Sequence, residues 1–185
     1  MNNFIKKILP AVLVITILIF PQPANAQQKF GVGAYLGGGT IQGNLPSQGS
    51  FSGSLFIDFT IPFIKGLATR ASFIYSSDVN ILLPQNSNRY SPFLKGISLK
   101  EIYTSKLPAN IFFEGGVGPL FLNDRTYGNL NEWDAGVAFS LLAGLDFSGE
   151  NKSGILAGAG AEYGLTFTNT NVQYLSVYLQ LKYQF

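Results

Sequence analysis

Ionisable side chains that could do chemistry are few in this sequence, and most of them interrupt otherwise apolar or small-residue segments. Paired carboxylates act as general acid and base when one holds a proton and the other does not. Asp58 could form such a pair with Glu114 or Glu162 if the fold brought them together. Ion pairing with Arg70 or Lys182 is the competing use of these carboxylates. We favour ion pairing, because it explains the same residues without requiring a substrate to enter.

The residue types that are missing narrow the chemistry further. The sequence contains no His and no Cys. A Ser-His-Asp triad, an imidazole or thiolate metal site, a Cys nucleophile and a disulfide are therefore excluded. Gly31-Val32-Gly33 and Gly158-Ala159-Gly160 do not open helices, so they do not predict phosphate binding. We expect a non-enzymatic protein that uses no cofactor and no metal.

Strands must position the ionisable residues, because a two-residue alternation of apolar with small or polar residues recurs throughout residues 27–185. In the last segment Leu181 and Tyr183 share one face, and Lys182 lies on the other. Seven similar segments precede it, separated by clusters of Gly, Pro, Asn and Ser. Eight such segments predict an all-β fold, an eight-stranded antiparallel up-and-down transmembrane β-barrel with short turns on one side and longer loops on the other.

The charges lie on the small and polar faces, and this indicates which face is inside. An eight-stranded barrel has an interior just wide enough for side chains to fill, and opposite charges that meet there satisfy one another. Asp58 and Arg70 flank a short turn at equal spacing, so a hairpin would place them opposite each other. We predict a charge network in the lumen that consists of Asp58, Arg70, Glu114, Asp146, Glu162 and Lys182.

Composition and aromatic placement agree with large apolar faces that contact lipid. Charged residues make up 12% of the sequence, against about 25% in ordinary soluble domains. Tyr and Phe concentrate near predicted strand ends, as an interfacial girdle requires. These aromatic residues are Phe30, Phe63, Tyr103, Phe147, Tyr163, Tyr183 and Phe185. Trp133 follows an outer loop and marks the outer interface.

The facing of the segment near 97–104 stays undecided, because Lys100 and Glu101 are adjacent and must point opposite ways.

The first residues have the pattern of an export signal. Two lysines are followed by an apolar run over residues 8–20 and by Ala24-Asn25-Ala26, which has small residues at both recognition positions. The run is shorter than the roughly 20 residues of a membrane-spanning helix. We predict a cleaved signal peptide at residues 1–26 and a single barrel domain at residues 27–185. Removing the two lysines leaves ten basic and ten acidic residues, so no charge excess indicates nucleic-acid binding.

The final segment carries a resemblance to a known class of proteins. With the signal peptide and the eight alternating segments, Leu179-Gln180-Leu181-Lys182-Tyr183-Gln184-Phe185 resembles the small OmpA/OmpX-type outer-membrane barrels over essentially all of residues 27–185. The resemblance implies Sec-type export, residence in lipid of the bacterial outer membrane, and recognition of Tyr183 and Phe185 by the outer-membrane assembly machinery. It implies no particular activity.

Three functions remain open on the sequence. The first is a barrel with a side-chain-filled lumen that contributes to envelope structure or surface interaction. The second is adhesion or ligand binding through the outer loop 77–95, which holds exposed apolar residues or packs on itself. The third is a soluble periplasmic lipocalin-like carrier with its apolar faces turned inward. The apolar members of the loop are Ile81, Leu82, Leu83, Tyr90 and Phe93.

Overall fold

A computed structural model describes residues 30–43, 46–61, 64–82, 90–148 and 153–185. The predicted signal peptide, residues 1–26, lies outside these residues, as do Phe63 and Leu83, and the side chains of Ile81 and Leu82 are also not described. Within the described ranges, no helix is long and apolar enough to cross a membrane.

Eight antiparallel strands form a closed barrel in which each strand pairs with its neighbours in the chain, and the first pairs with the last. This confirms the predicted architecture. A short 3-10 helix, Val79–Leu82, follows the third strand. The strands are β1 (Phe30–Gln42), β2 (Gln48–Thr60), β3 (Leu67–Asp78), β4 (Phe93–Lys106), β5 (Ile111–Arg125), β6 (Glu132–Asp146), β7 (Gly154–Thr166) and β8 (Gln173–Gln184).

The lower end of the barrel is defined here as the end that holds Phe30 and Phe185, and the upper end is the opposite one. Side chains along each strand alternate between the lumen and the exterior. In β8, Leu179 is 71% exposed, whereas its neighbours Tyr178 and Gln180 are buried in the lumen. The lipocalin-like alternative required the opposite facing, with apolar side chains inside, and it is wrong on this point.

Aromatic side chains cluster at both ends of the exterior. At the lower end the ring of Phe30 packs edge-on against Phe59 at 5.4 Å between centroids, and it lies 5.8 Å from the ring of Phe185. At the upper end Tyr75 and Phe93 stack at 5.8 Å. The exterior therefore has an apolar band between two aromatic belts, the arrangement typical of transmembrane barrels.

Two clusters of apolar side chains fill much of the lumen. The upper cluster occupies the upper half of the barrel, and the second packs around a stacked pair of tyrosines, Tyr35 and Tyr178, whose ring centroids are 4.2 Å apart. The upper cluster consists of Ile41, Ile74, Leu94, Leu120, Leu122, Ala138, Val172 and Tyr174. The second cluster consists of Tyr35, Phe112, Leu142, Leu156 and Tyr178.

The strands extend further at the upper end than the sequence suggested. The loop expected over residues 77–95 is shorter, because β3 continues to Asp78 and β4 already begins at Phe93. Polar residues in inward positions, such as Asp78 and Asp124, continue the alternation above the apolar band. The sequence prediction ended each strand where its apolar residues stop. It therefore missed the polar extensions at the upper end.

The structure resolves the facing of the segment near 97–104. Lys100 points into the lumen with 1% exposure, and Glu101 points outward. The outward carboxylate of Glu101 accepts a hydrogen bond of 2.9 Å from the hydroxyl of Thr69 on the neighbouring strand. The hydroxyl of Thr69 therefore satisfies part of the hydrogen-bonding capacity of the Glu101 carboxylate on the exterior.

Candidate functional site

Arg70 is the centre of the charged group in the lower half of the lumen. It lies directly opposite Asp58 in the β2–β3 hairpin, which confirms the predicted register. Its Nε and Nη2 donate to the two carboxylate oxygens of Asp58 at 2.7 and 2.8 Å. Nη2 also donates to Glu114 at 2.9 Å, and Nη1 donates to Gln180 at 3.1 Å. Such a bidentate contact fixes the guanidinium plane as well as its charge.

Lys182 completes the charged group from β8. Its Nζ lies 3.2 Å from Asp58 Oδ2 and also forms an ion pair with Glu114. Asp58, Arg70, Glu114 and Lys182 therefore form a quartet with two negative and two positive charges, named here the lower quartet. All four are buried, and the guanidinium of Arg70 lies 4.1 Å from the ring centroid of Phe56. The lower quartet is neutral as a unit, which limits the cost of burying it.

Glu162 belongs to a separate buried group in the lumen. It forms an ion pair with Lys100, and both side chains are almost fully buried. One oxygen of Glu162 also accepts hydrogen bonds from the hydroxyls of Tyr35 at 3.2 Å and Tyr174 at 2.5 Å. The sequence did not identify Lys100 as a lumen residue. Ile97, Leu99 and Tyr103 lie on the outer face, so strand alternation places Lys100 on the inner face. This alternation was the signal that could have found it.

Asp146 does not join the lumen network, so this part of the prediction was wrong. It is the last residue of β6, where the lumen opens at the lower rim. There it pairs with Lys106, whose side chain is 58% exposed. Its Oδ1 accepts a hydrogen bond of 2.9 Å from the backbone N–H of Ser148 in the following turn. Its inward facing was predicted correctly, but its position at the end of the strand places it at the lower rim, away from the buried charged groups.

The two lumen groups have geometry suited to closing the barrel. The carboxylates of Asp58, Glu114 and Glu162 each contact at least one buried cation, and the apolar clusters pack around them. General acid–base catalysis requires a carboxylate within reach of a substrate proton. These carboxylates are enclosed by side chains, so their arrangement indicates a plug of ion pairs.

A cleft of about 590 Å³ opens at the upper end, between the loop after β3 and the loop after β5. Its lining includes the buried carboxylate of Asp78 and the side chains of two exposed tyrosines, Tyr90 at 47% and Tyr127 at 58% exposure. The remaining lining is mainly amide and hydroxyl. Those residues are Gln48, Asn80, Ser91, Pro92, Thr126, Gly128 and Asn129.

Hydrogen bonds hold the walls of this upper cleft in place. The hydroxyl of Tyr90 donates to the backbone carbonyl of Arg125 at 2.7 Å, which joins the two loops. Partial burial raises the pKa of the Tyr90 hydroxyl above its ordinary value. Asp78 Oδ1 accepts from both the backbone N–H and the amide of Asn80 at 2.9 Å. Asp124 accepts from the backbone N–H and the hydroxyl of Thr126 at 2.8 and 2.7 Å.

Comparisons with known proteins support the fold and not a specific activity. No family model matches the sequence, and no curated protein matches it. Among solved structures, Neisserial surface protein A matches with a TM-score of 0.63 at 14% identity, over 84% of this chain and 97% of that protein. The attachment invasion locus protein Ail of Yersinia pestis matches with a TM-score of 0.53 at 9% identity, over 86% and 99% of the respective chains.

Both matched proteins are eight-stranded outer-membrane barrels. This chain has the same fold and spans nearly the full length of each of them. Ail is also known in complex with the heparin analogue sucrose octasulfate, a structure that this chain matches with a TM-score of 0.54 at 10% identity, over 86% of this chain and 99% of that one. At these identities the likeness establishes the architecture alone.

Proposed function

We propose that this protein is a non-enzymatic outer-membrane barrel that contributes to envelope structure or surface interaction. The observation that carries the proposal is the exterior, which exposes large apolar side chains on every strand between two aromatic belts. Exposed apolar patches of this extent are rare on soluble monomers. The lower end, with its short turns, then faces the periplasm, and the upper cleft faces outward.

A charge placed on the exterior tests residence in lipid directly. Leu179→Arg introduces a cation where the side chain is 71% exposed in mid-strand. In a bilayer the arginine should destabilise the fold by about 2–4 kcal/mol, whereas on a water-exposed surface it would change little. The matched control is Phe167→Arg, because Phe167 is 60% exposed but lies in the loop after β7. Equal stability of the two variants in lipid vesicles would contradict the proposal.

Cell fractionation with heat-modifiable gel migration tests the location. We expect the wild-type protein in the outer-membrane fraction, with a mobility difference between unheated and boiled samples, because a closed lipid-facing barrel stays folded in detergent. Recovery in the soluble periplasm without a mobility difference would refute the outer-membrane assignment. Mass spectrometry of the same sample reports whether residues 1–26 have been removed.

The proposal also assigns Tyr183 and Phe185 to recognition by the outer-membrane assembly machinery. Their rings pack against each other at 4.8 Å, beside Phe30 at the lower end. Phe185→Ala should lower the amount of folded barrel in cells more than it lowers refolding yield in detergent, where no machinery acts. Equal loss in both settings would mean that Phe185 contributes only packing.

A second candidate function is attachment through the loop between β3 and β4, which lies within the predicted range 77–95. Tyr90 supports it, because its ring is 47% exposed at the upper end while its hydroxyl is fixed to Arg125. Replacing residues 80–91 with a short Gly-Ser linker should abolish attachment to target cells and preserve heat-modifiable migration. Unchanged attachment by the folded variant would eliminate this candidate.

A further inference from the structure

Two basic residues are neighbours on the outer surface of the barrel at its upper end. Strand alternation places Lys95 of β4 and Arg125 of β5 on the outward face, and each is half-buried. The register pairs Lys95 with Asn123, and Phe93 with Arg125, so the two cations are diagonal neighbours. Diagonal neighbours have Cβ atoms about 7–8 Å apart. The two long side chains, named here the upper basic pair, can therefore reach one anion together.

No carboxylate of the protein neutralises the upper basic pair. In the described part of the chain, neither Lys95 nor Arg125 forms an ion pair. Every Asp and Glu of the sequence except Glu150 is described, and Glu150 lies between β6 and β7, which join at the lower end. Glu132 is exposed near the upper end but contacts neither cation. The counter-charge for the upper basic pair must therefore come from outside the protein.

Arg125 is held in position by the loops of the upper end. Its Nη1 donates to the backbone carbonyl of Leu130 at 3.2 Å, and its own carbonyl accepts from the hydroxyl of Tyr90 at 2.7 Å. The backbone N–H of Leu130 donates in turn to the carbonyl of Tyr127 at 2.9 Å. A side chain that is fixed in advance loses less conformational freedom when it binds. A guanidinium can also donate two parallel hydrogen bonds to a phosphate group.

The surface around the upper basic pair favours a lipid over a soluble anion. Toward the middle of the barrel, Ile97 on β4 lies opposite Phe121 on β5, and these side chains are 54% and 44% exposed. Tyr75 pairs with Lys95 and stacks on Phe93 in the upper aromatic belt, and such belts lie at the level of lipid headgroups. A soluble anion would contact only the cations. A phosphorylated lipid would contact the cations through its headgroup and the apolar side chains through its acyl chains.

We propose that the upper basic pair binds the phosphorylated headgroup of one membrane lipid, whose acyl chains lie along Ile97 and Phe121. The guanidinium of Arg125 donates to the phosphate oxygens, and Lys95 adds a second cation from the neighbouring strand. This inference deepens the proposed function, on which it rests for the outward orientation of the upper end. In that orientation the lipid belongs to the outer leaflet, and its headgroup is the phosphorylated sugar of lipid A.

Trp133 provides a reporter for this binding, because it is the only Trp of the sequence and pairs with Asn123, the cross-strand partner of Lys95. The full-length protein in detergent micelles is titrated with diphosphoryl lipid A, and separately with lipid A of the same acyl chains that lacks both phosphates. We expect a saturable change in Trp133 emission with diphosphoryl lipid A. The dephosphorylated lipid should bind about 25-fold more weakly, since each basic residue near an anionic surface contributes about fivefold.

Two outcomes of the titration would overturn the proposal. Equal affinity for the two forms of lipid A would show that the phosphates are not recognised. Saturation by sodium phosphate at the concentrations at which diphosphoryl lipid A saturates would show that the acyl chains contribute nothing, and that the site takes a free anion.

Charge substitutions locate the binding, after heat-modifiable migration has shown that each variant is folded. Lys95→Gln and Arg125→Gln should each weaken the binding of diphosphoryl lipid A by about fivefold, whereas Lys95→Arg keeps the charge and should preserve the affinity. The matched control is Lys65→Gln, because Lys65 is exposed in the turn between β2 and β3 at the lower end. Unchanged affinity in both glutamine variants of the upper basic pair, or an equal loss in Lys65→Gln, would refute the site.

Failure of this inference is distinguishable from failure of the proposed function. Heat-modifiable migration and the Leu179→Arg comparison report on the membrane barrel, and neither involves Lys95 or Arg125. A protein that passes both tests and does not distinguish the two forms of lipid A is an outer-membrane barrel without this lipid site.

Discussion

At the level of single residues, Arg70 is the cation on which the lower quartet depends. It contacts Asp58 through two nitrogens and Glu114 through one, with all three side chains buried. Arg70→Met would leave these carboxylates with Lys182 as the one cation that contacts them among the described residues. Removing one partner from a buried ion pair costs about 3–5 kcal/mol, so we expect the free energy of unfolding to fall by that amount in urea titrations of the detergent-folded protein.

Lys106 provides the matched control for Arg70. Lys106→Met removes the ion pair to Asp146 at the lower rim, where the lysine is 58% exposed. Exposed pairs contribute about 0–1 kcal/mol, because water and salt screen them. A comparable loss of unfolding free energy in the two variants would show that burial does not determine how much these ion pairs contribute to stability, contrary to the argument for Arg70.

At the level of elements, the seam between β1 and β8 depends on glycine. A Cβ at Gly39 would lie 1.8 Å from the carbonyl oxygen of Leu175, so the strands approach too closely for any side chain. Gly39→Ala should therefore force the seam apart and reduce the fraction of heat-modifiable barrel. Gly38→Ala is the control, because a Cβ there meets nothing closer than the Ser50 carbonyl oxygen at 3.4 Å. Equal folding of both variants would contradict the close approach.

Asp134 fixes the loop after β7 to the beginning of β6. Its Oδ1 accepts hydrogen bonds from the hydroxyl of Thr168 at 2.7 Å and from the backbone N–H groups of Asn169 and Thr170 at 2.5 and 3.1 Å. Asp134→Ala should accelerate amide hydrogen exchange at residues 169 and 170, while Asp134→Asn retains one acceptor oxygen and preserves much of the protection. Slow exchange in the alanine variant would show that the loop is held by other contacts.

The alternation of inward and outward side chains along the strands made much of this architecture predictable. Alternation assigned the inward residues of the strands other than β4, and equal spacing about one turn placed Asp58 opposite Arg70. The pairing of Glu114 with Lys182 was not deducible as a specific contact, because β5 and β8 are not adjacent and their side chains meet across the lumen. The alternation also does not tell how far along the barrel axis a residue lies. Asp146 was therefore assigned to the lumen network although it lies at the lower rim.

At the level of the whole molecule, the lumen contains two layers of buried side chains along its axis. The upper apolar cluster fills the half nearer the upper cleft, and the lower quartet with the second apolar cluster fills the other half. Eight strands enclose a space that side chains can fill completely. We therefore expect the wild-type protein to show no steady conductance in planar lipid bilayers.

Removal of one layer should not open a path, because the other layer remains. A variant that replaces all four members of the lower quartet with Ser keeps the upper cluster, and should stay silent in bilayers. Adding Leu94→Ala, Leu120→Ala and Leu122→Ala removes large side chains from the upper cluster as well, and should produce conductance in those molecules that still show heat-modifiable migration. Steady current through the quartet variant alone would show that the apolar cluster does not seal the barrel. In that case the ion pairs, rather than the combined packing of both layers, would keep the lumen closed.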